Sequence, residues 1–213
     1  GFLINSTEYD EDKTKFTSLN EAAKIIPQNK EGKTFVLLTD YGKFNTNDLP
    51  VYDGKTIDGL RVAFHKKDMN PALDECREIK NLGYKVFVQA MVSLSYTDKE
   101  FLDLISKVNE LEPYAFYIVD SFGMMKRKDL TRLFYLVEHN LKENIHIGFH
   151  SHNNMQLAYS NAQSLVDLHS ERNLIIDSSV YGMGRGAGNL NTELFVQYLN
   201  DNNDGNYDIK PLL

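Results

Sequence analysis

Two histidines, His150 and His152, stand two residues apart in IGFHSHNN, at the exit of a short apolar run. Side chains at i and i+2 share one face of a strand, so the two imidazoles can converge on one ion about 2.0–2.2 Å from each nitrogen. The other reading is a pair of loop histidines bonded to backbone groups. A strand exit opens onto a cleft shared by neighbouring strands, and that favours the metal. Next comes VYGMGRGAGNLNTE, with Gly182, Gly184, Gly186 and Gly188 in alternation. Such a loop brings backbone amides close to an anion or a metal, or else makes a tight strand-to-helix turn. As a dinucleotide fingerprint it fails, because Ala187 replaces a required glycine and no acidic residue ends a strand about 20 residues on.

Two further segments carry polar residues at strand exits. Asp120 and Ser121 in FYIVDSFGMM suit either a substrate contact or a helix cap. Arg61 and His65 alternate with Ala63 along GLRVAFH and share one face, which points either into a site or onto an exposed edge. Asp40, Gln89 and Asp177 with Ser178 and Ser179 complete the polar strand exits. His139, His146 and His169 fall at helical or strand-start positions and are set aside.

The elements that must position these residues repeat every 25 to 30 positions. Strand-like runs occupy 35–39, 60–64, 85–90, 116–119, 145–149 and 174–177. Segments of helical period lie near 70–82, 97–111, 128–141, 155–168 and 190–199. A helix candidate at 19–26 follows a polar loop, NSTEYDEDKTK, and Gly1 with Phe2 reads as the tail of a strand. Strands alternating with helices require a parallel sheet, since a parallel neighbour is reached only by a long crossover. The choice is an open doubly wound sheet or a closed barrel. A complete eight-unit barrel runs to roughly 250 residues, so the arithmetic predicts an α/β (β/α)8 TIM barrel lacking its first strand, first helix and most of its second strand. No low-complexity linker divides residues 1–213, which read as a single domain.

Composition narrows the classes of partner. The 213 residues are 42% hydrophobic and 25% charged, enough to bury a core. No run approaches the roughly 18–20 apolar residues of a membrane span, and no basic-then-apolar leader opens the chain. A net charge of -7 with scattered cations disfavours nucleic acid. The lone cysteine, Cys76, lies among Asp74, Glu75 and Glu78, which raise a thiol pKa. It reads as an inert thiol in a cytoplasmic protein.

Together, GLRVAFHKKD, YIVDSFGMM, IGFHSHNNMQLAYSNA and IDSSVYGMGRGAGNLNTE resemble the metal-dependent aldolases and lyases that include 4-hydroxy-2-oxovalerate aldolase, HMG-CoA lyase and isopropylmalate synthase. The resemblance covers roughly residues 34–199 and implies a TIM barrel with Mn2+ or Mg2+ at its C-terminal face. It implies metal ligation by His150, His152 and Asn189, and substrate contact by Ser121, Asp120, His150, Arg61 and His65. The loop GMGRGAGN lacks the cysteine of the HMG-CoA lyases and the Glu-Arg pair of the isopropylmalate synthases, which favours the aldolase branch; only Arg185 departs from it. That branch implies retro-aldol cleavage of a 4-hydroxy-2-oxo acid to pyruvate and an aldehyde. Claisen-type acyl transfer from an acyl-CoA to a 2-oxo acid is the alternative chemistry, and a non-catalytic barrel the alternative role. The family's Asp ligand, its neighbouring Arg, an N-terminal histidine and a C-terminal tyrosine have no counterpart in this sequence. The catalytic residues are therefore expected outside it, and this polypeptide alone is expected to be nearly inactive. The family also implies a small-molecule 2-oxo acid substrate and a homodimer, with no nucleic-acid or membrane partner.

Overall fold

The computed structural model describes residues 1–5, 14–27 and 29–213. Its eight strands are β1 (Phe2–Leu3), β2 (Lys15–Phe16), β3 (Val36–Asp40), β4 (Gly59–Phe64), β5 (Lys85–Ala90), β6 (Ala115–Asp120), β7 (His146–Ser151) and β8 (Leu174–Ile176). The helices are α1 (Leu19–Ala23), α2 (Met69–Asn81), α3 (Asp98–Leu111), α4 (Arg127–Asn140), α5 (Ala158–Val166) and α6 (Thr192–Asn202). All strand pairs are parallel, in the order β2-β1-β3-β4-β5-β6-β7-β8. A helix after each of β4 to β7 supplies the crossover that parallel pairing demands.

The strands are apolar because both of their faces are covered. On one face, Phe87, Ala115, Tyr117 and Val119 pack together with Val36 and Ile175 beside them. On the other, Val86, Val88, Phe116, Ile118, Ile147 and Phe149 join the helical residues Leu104, Ile105, Leu133 and Phe134. Every residue of β6 is buried. An ion pair between Arg61 of β4 and Asp177, just past β8, shows how the sheet is shaped. In a flat sheet those strands, four apart, would lie roughly 19 Å from each other. The sheet therefore curls into a TIM-barrel-like wall, and the first face is its interior.

The sequence pattern finds six of these strands. The strand tail read at Gly1 and Phe2 is β1; β2 alone is not found, because two residues are too short for a period-2 pattern, and it is fixed by pairing of Lys15 with Phe2 and Phe16 with Leu3. Residues 6–13 of the expected polar loop lie outside the described residues. Two helix starts also differ. Gln156 takes a left-handed backbone (φ 57°), so α5 begins only at Ala158, whose N–H donates to Asn153 Oδ1 at 3.1 Å. Leu190 instead accepts from Ser179 N at 2.9 Å, and α6 starts after Asn191, whose Oδ1 caps Leu194 N at 3.1 Å.

Candidate active site at the carboxyl ends of the strands

Three side chains, from β4, β7 and the residue just past β8, meet inside the barrel mouth. Asp177 Oδ2 is paired with Arg61 Nη2 and lies 2.9 Å from His150 Nδ1. Burial alone would raise the Asp177 pKa; the bond to His150 and the charge of Arg61 outweigh it and hold the carboxyl below its ordinary range. An ionised carboxylate can only accept, so Nδ1 carries the hydrogen and Nε2 keeps its lone pair when the ring is neutral. Arg61 is clamped on further sides. With its amide oxygen turned inward, Gln89 accepts from Arg61 Nε at 3.0 Å, and Arg61 Cζ sits 5.1 Å from the Tyr117 ring centroid. The Tyr117 ring lies where a side chain on Gly148 would be, since a Cβ there would come within 2.4 Å of it. Burial and then Asp177 push the Tyr117 phenol up, so it stays protonated.

His152 follows β7, its ring centroid 5.3 Å from that of His150 and nearly perpendicular to it. Burial first, then the charges of His150 and Arg185, lower its pKa, while its ring bonds to the Arg185 backbone. The glycine loop then folds back on itself. Gly188 adopts φ 88°, and a Cβ there would meet Gly182 O at 2.0 Å, so only glycine fits. The reversal pairs Asn189 with His152 in an isolated bridge and lets Asn153 N donate to Gly188 O at 2.9 Å. The loop is thus both a tight turn and the device that delivers Asn189. Asn189 Nδ2 donates to Met183 O at 2.8 Å, whereas its buried Oδ1 has no hydrogen-bond partner among the described residues. A buried orphan oxygen is costly unless something outside the protein meets it. Two imidazoles, each with one nitrogen held by an outer partner, and an unmatched amide oxygen on the residue bridged to His152 fit part of a divalent-metal donor set. Among the described residues no group of three or more His, Cys, Asp or Glu could hold a metal ion. Hard ions such as Mn2+ and Mg2+ would need further oxygen ligands.

Residues 60–211 match the HMGL-like family model, more than two thirds of the chain. The chain belongs to the HMGL-like family. Among relatives, the 4-hydroxy-2-oxovalerate aldolase of Geobacillus thermodenitrificans is 30% identical over 203 residues, 93% of this chain and 56% of that protein. That of Shewanella halifaxensis is 28% identical over 175 residues, 82% of this chain and 50% of the relative. The chain thus spans about half the length of these curated relatives. Among solved structures, the N-terminal domain of a candidate aldolase from Bacteroides vulgatus superposes with a TM-score of 0.76 at 24% identity, over 97% of this chain and 69% of that one.

Within this HMGL-like barrel the sequence candidates part company. Arg61, His150, His152 and Asn189 gather around the mouth. Asp120 turns to its own loop, its two oxygens accepting from Met124 N and Met125 N at 3.0 Å each. Ser121 Oγ accepts from Val92 N at 2.9 Å, which leaves its own O–H to donate elsewhere. His65 lies on the exposed rim beyond β4 and does not join Arg61, because the strand ends at Phe64 and their shared alternation stops there. The structure adds Asp177, Gln89 and Tyr117 to the site. Asp177 and Gln89 were visible as strand exits. The register that sets Tyr117 opposite Gln89, and so inside, is a property of the sheet and not of the sequence.

Proposed function

We propose that this chain forms the core of a divalent-metal-dependent carbon–carbon lyase that cleaves a 4-hydroxy-2-oxo acid to pyruvate and an aldehyde. The observation that carries the reading is the unmatched Oδ1 of Asn189, a residue whose backbone bridges to His152, the ring neighbour of His150, at the mouth of an HMGL-like barrel. His150, His152 and Asn189 would hold the ion, which when bound supplies Lewis-acid stabilisation of charge developing on the 2-oxo oxygen. In the cleavage the C3–C4 bond breaks, the C4 hydroxyl loses its proton to become the aldehyde, and the electron pair left on C3 delocalises onto the 2-oxo oxygen before C3 is protonated. Arg61 is the cation held inside the mouth by Asp177; its Nη1 has no partner among the described residues and would donate to the substrate. Asp177 fixes both Arg61 and the tautomer of His150. Ser121 would donate its free O–H to the substrate carboxylate. The proton of the C4 hydroxyl leaves to solvent and one returns to C3, so the cleavage is proton-neutral.

The test is pyruvate release from short 4-hydroxy-2-oxo acids by the full-length protein, with added Mn2+ and with a chelator. Metal-dependent pyruvate is expected. Its absence with every substrate, or thiol release from acetyl-CoA plus a 2-oxo acid in its place, would overturn the reading.

A further inference from the structure

A second recess opens at the same end of the barrel, beside the mouth. It is shallow and largely open to solvent, with a volume of about 410 Å³, and is lined by His65, Lys66, Lys67, Met91, Val92 and Ser95. Its chemistry is one-sided, with three potential cations and no carboxylate among the lining residues. Lys66 is already committed, to Glu100, to Ser95 O at 3.3 Å and to the face of Tyr96. Lys67 is exposed and has no hydrogen bond or ion pair among the described residues, and neither has the His65 side chain. The apolar wall is unusual. Val92 sits in the left-handed region (φ 54°, ψ 53°), where a β-branched residue is strained. It is held there by Ser121 Oγ on its N–H, while buried Ser93 bonds Ala90 O at 3.0 Å and accepts from Val119 N at 2.8 Å. Strain of this kind persists where the surroundings over-determine it, and such places cluster at ligand clamps. The Ser121–Val92 bond also ties the recess to the end of β6, whose neighbour β7 carries His150.

We propose that this recess binds an anionic group, phosphate or carboxylate, at the far end of the substrate, so that the aldehyde product carries a negative charge. The inference rests on the mouth being the reaction centre, and it specifies the class of 4-hydroxy-2-oxo acid processed there. Lys67 and His65 would contact the anion, Met91 and Val92 would line the carbon chain leading to it, and Lys66 would be held in reserve by Glu100.

The experiment is calorimetric titration of the full-length protein with glycerol 3-phosphate, with malonate, and with glycerol as the uncharged control. One of the two anions is expected to bind, glycerol not, and the tighter of the two names the charged group. Lys67→Met should weaken that binding at least tenfold, as should 0.5 M salt, because screening acts on exposed charges. Lys142→Met, which removes a cation at the opposite end of the barrel, should leave it unchanged. No binding of either anion, or equal loss with both variants, would overturn the proposal. Because binding is read without turnover, these outcomes are independent of whether pyruvate is released. If it is released, Lys67→Met should lower kcat/KM for anion-tailed substrates and leave alkyl-tailed ones untouched.

Discussion

Asp177→Asn tests whether one carboxylate both braces the barrel and orients the mouth. The aspartate and Arg61 side chains are 14% and 21% exposed, so solvent screens their pair only in part. Removing one partner of a buried pair costs about 3–5 kcal/mol because the other charge is left without a counterion. Asparagine keeps the volume and one accepting oxygen, which brings the expected loss to about 2–3 kcal/mol. For a chain of this size that corresponds to a fall in Tm of roughly 4–12 °C. Urea unfolding should give the free energy directly, and a cycle with Arg61→Met should return a coupling of about 0.5–3 kcal/mol. The pH dependence has a definite sign. A carboxyl whose folded pKa is depressed contributes stability that is present above its ordinary value of 3.8 and is lost as pH falls through the lower folded value. The gap between wild type and variant should therefore be full at pH 7 and close under strong acid. A loss below about 0.5 kcal/mol, or a gap that does not change with pH, would refute the argument that this pair draws β4 and β8 together.

Gly148→Ala would drive a methyl group into the Tyr117 ring and should cost about 1–3 kcal/mol in urea unfolding; a neutral result would mean the ring can move aside. Glu75 on α2 has a buried Oε1 without a partner among the described residues, and burial followed by the neighbouring Glu78 raises its pKa from 4.5 to about 7. Since its folded value is the higher one, stability should fall as pH rises from about 4.5 to 7, and Glu75→Gln should stabilise at pH 8 by about 1 kcal/mol after allowance for its partial exposure. A variant no more stable than wild type at pH 8 would contradict this. Cys76 is fully buried, and burial first and Glu75 second push its thiol up. A thiol reagent should therefore label the native protein only as fast as it opens, and rapid stoichiometric labelling at neutral pH would show otherwise.

The alternation of apolar runs and helical periods was enough to determine a parallel α/β chain, because period 2 and period 3.6 are local properties and parallel strands require crossovers. Strand exits were equally legible: His150 and His152 stand at the end of β7 and Asp177 just past β8, whereas Asn189 is indicated only by the family resemblance. The sequence could not decide between the two readings of each exit, because a side chain's partner is chosen by residues distant in the chain. Asp120 closes its own loop through Met124 and Met125, whereas Asp177, equally a strand-end acid, reaches Arg61 across the barrel, 116 positions away. Only the curl of the sheet makes that second contact possible. The same holds for Tyr117, which reads as one more apolar strand residue until Gly148 on the neighbouring strand leaves room for its ring. The glycine loop shows both sides. Its glycines announce a reversal, but that the reversal sets Asn189 against His152 with an oxygen unmatched follows from tertiary packing.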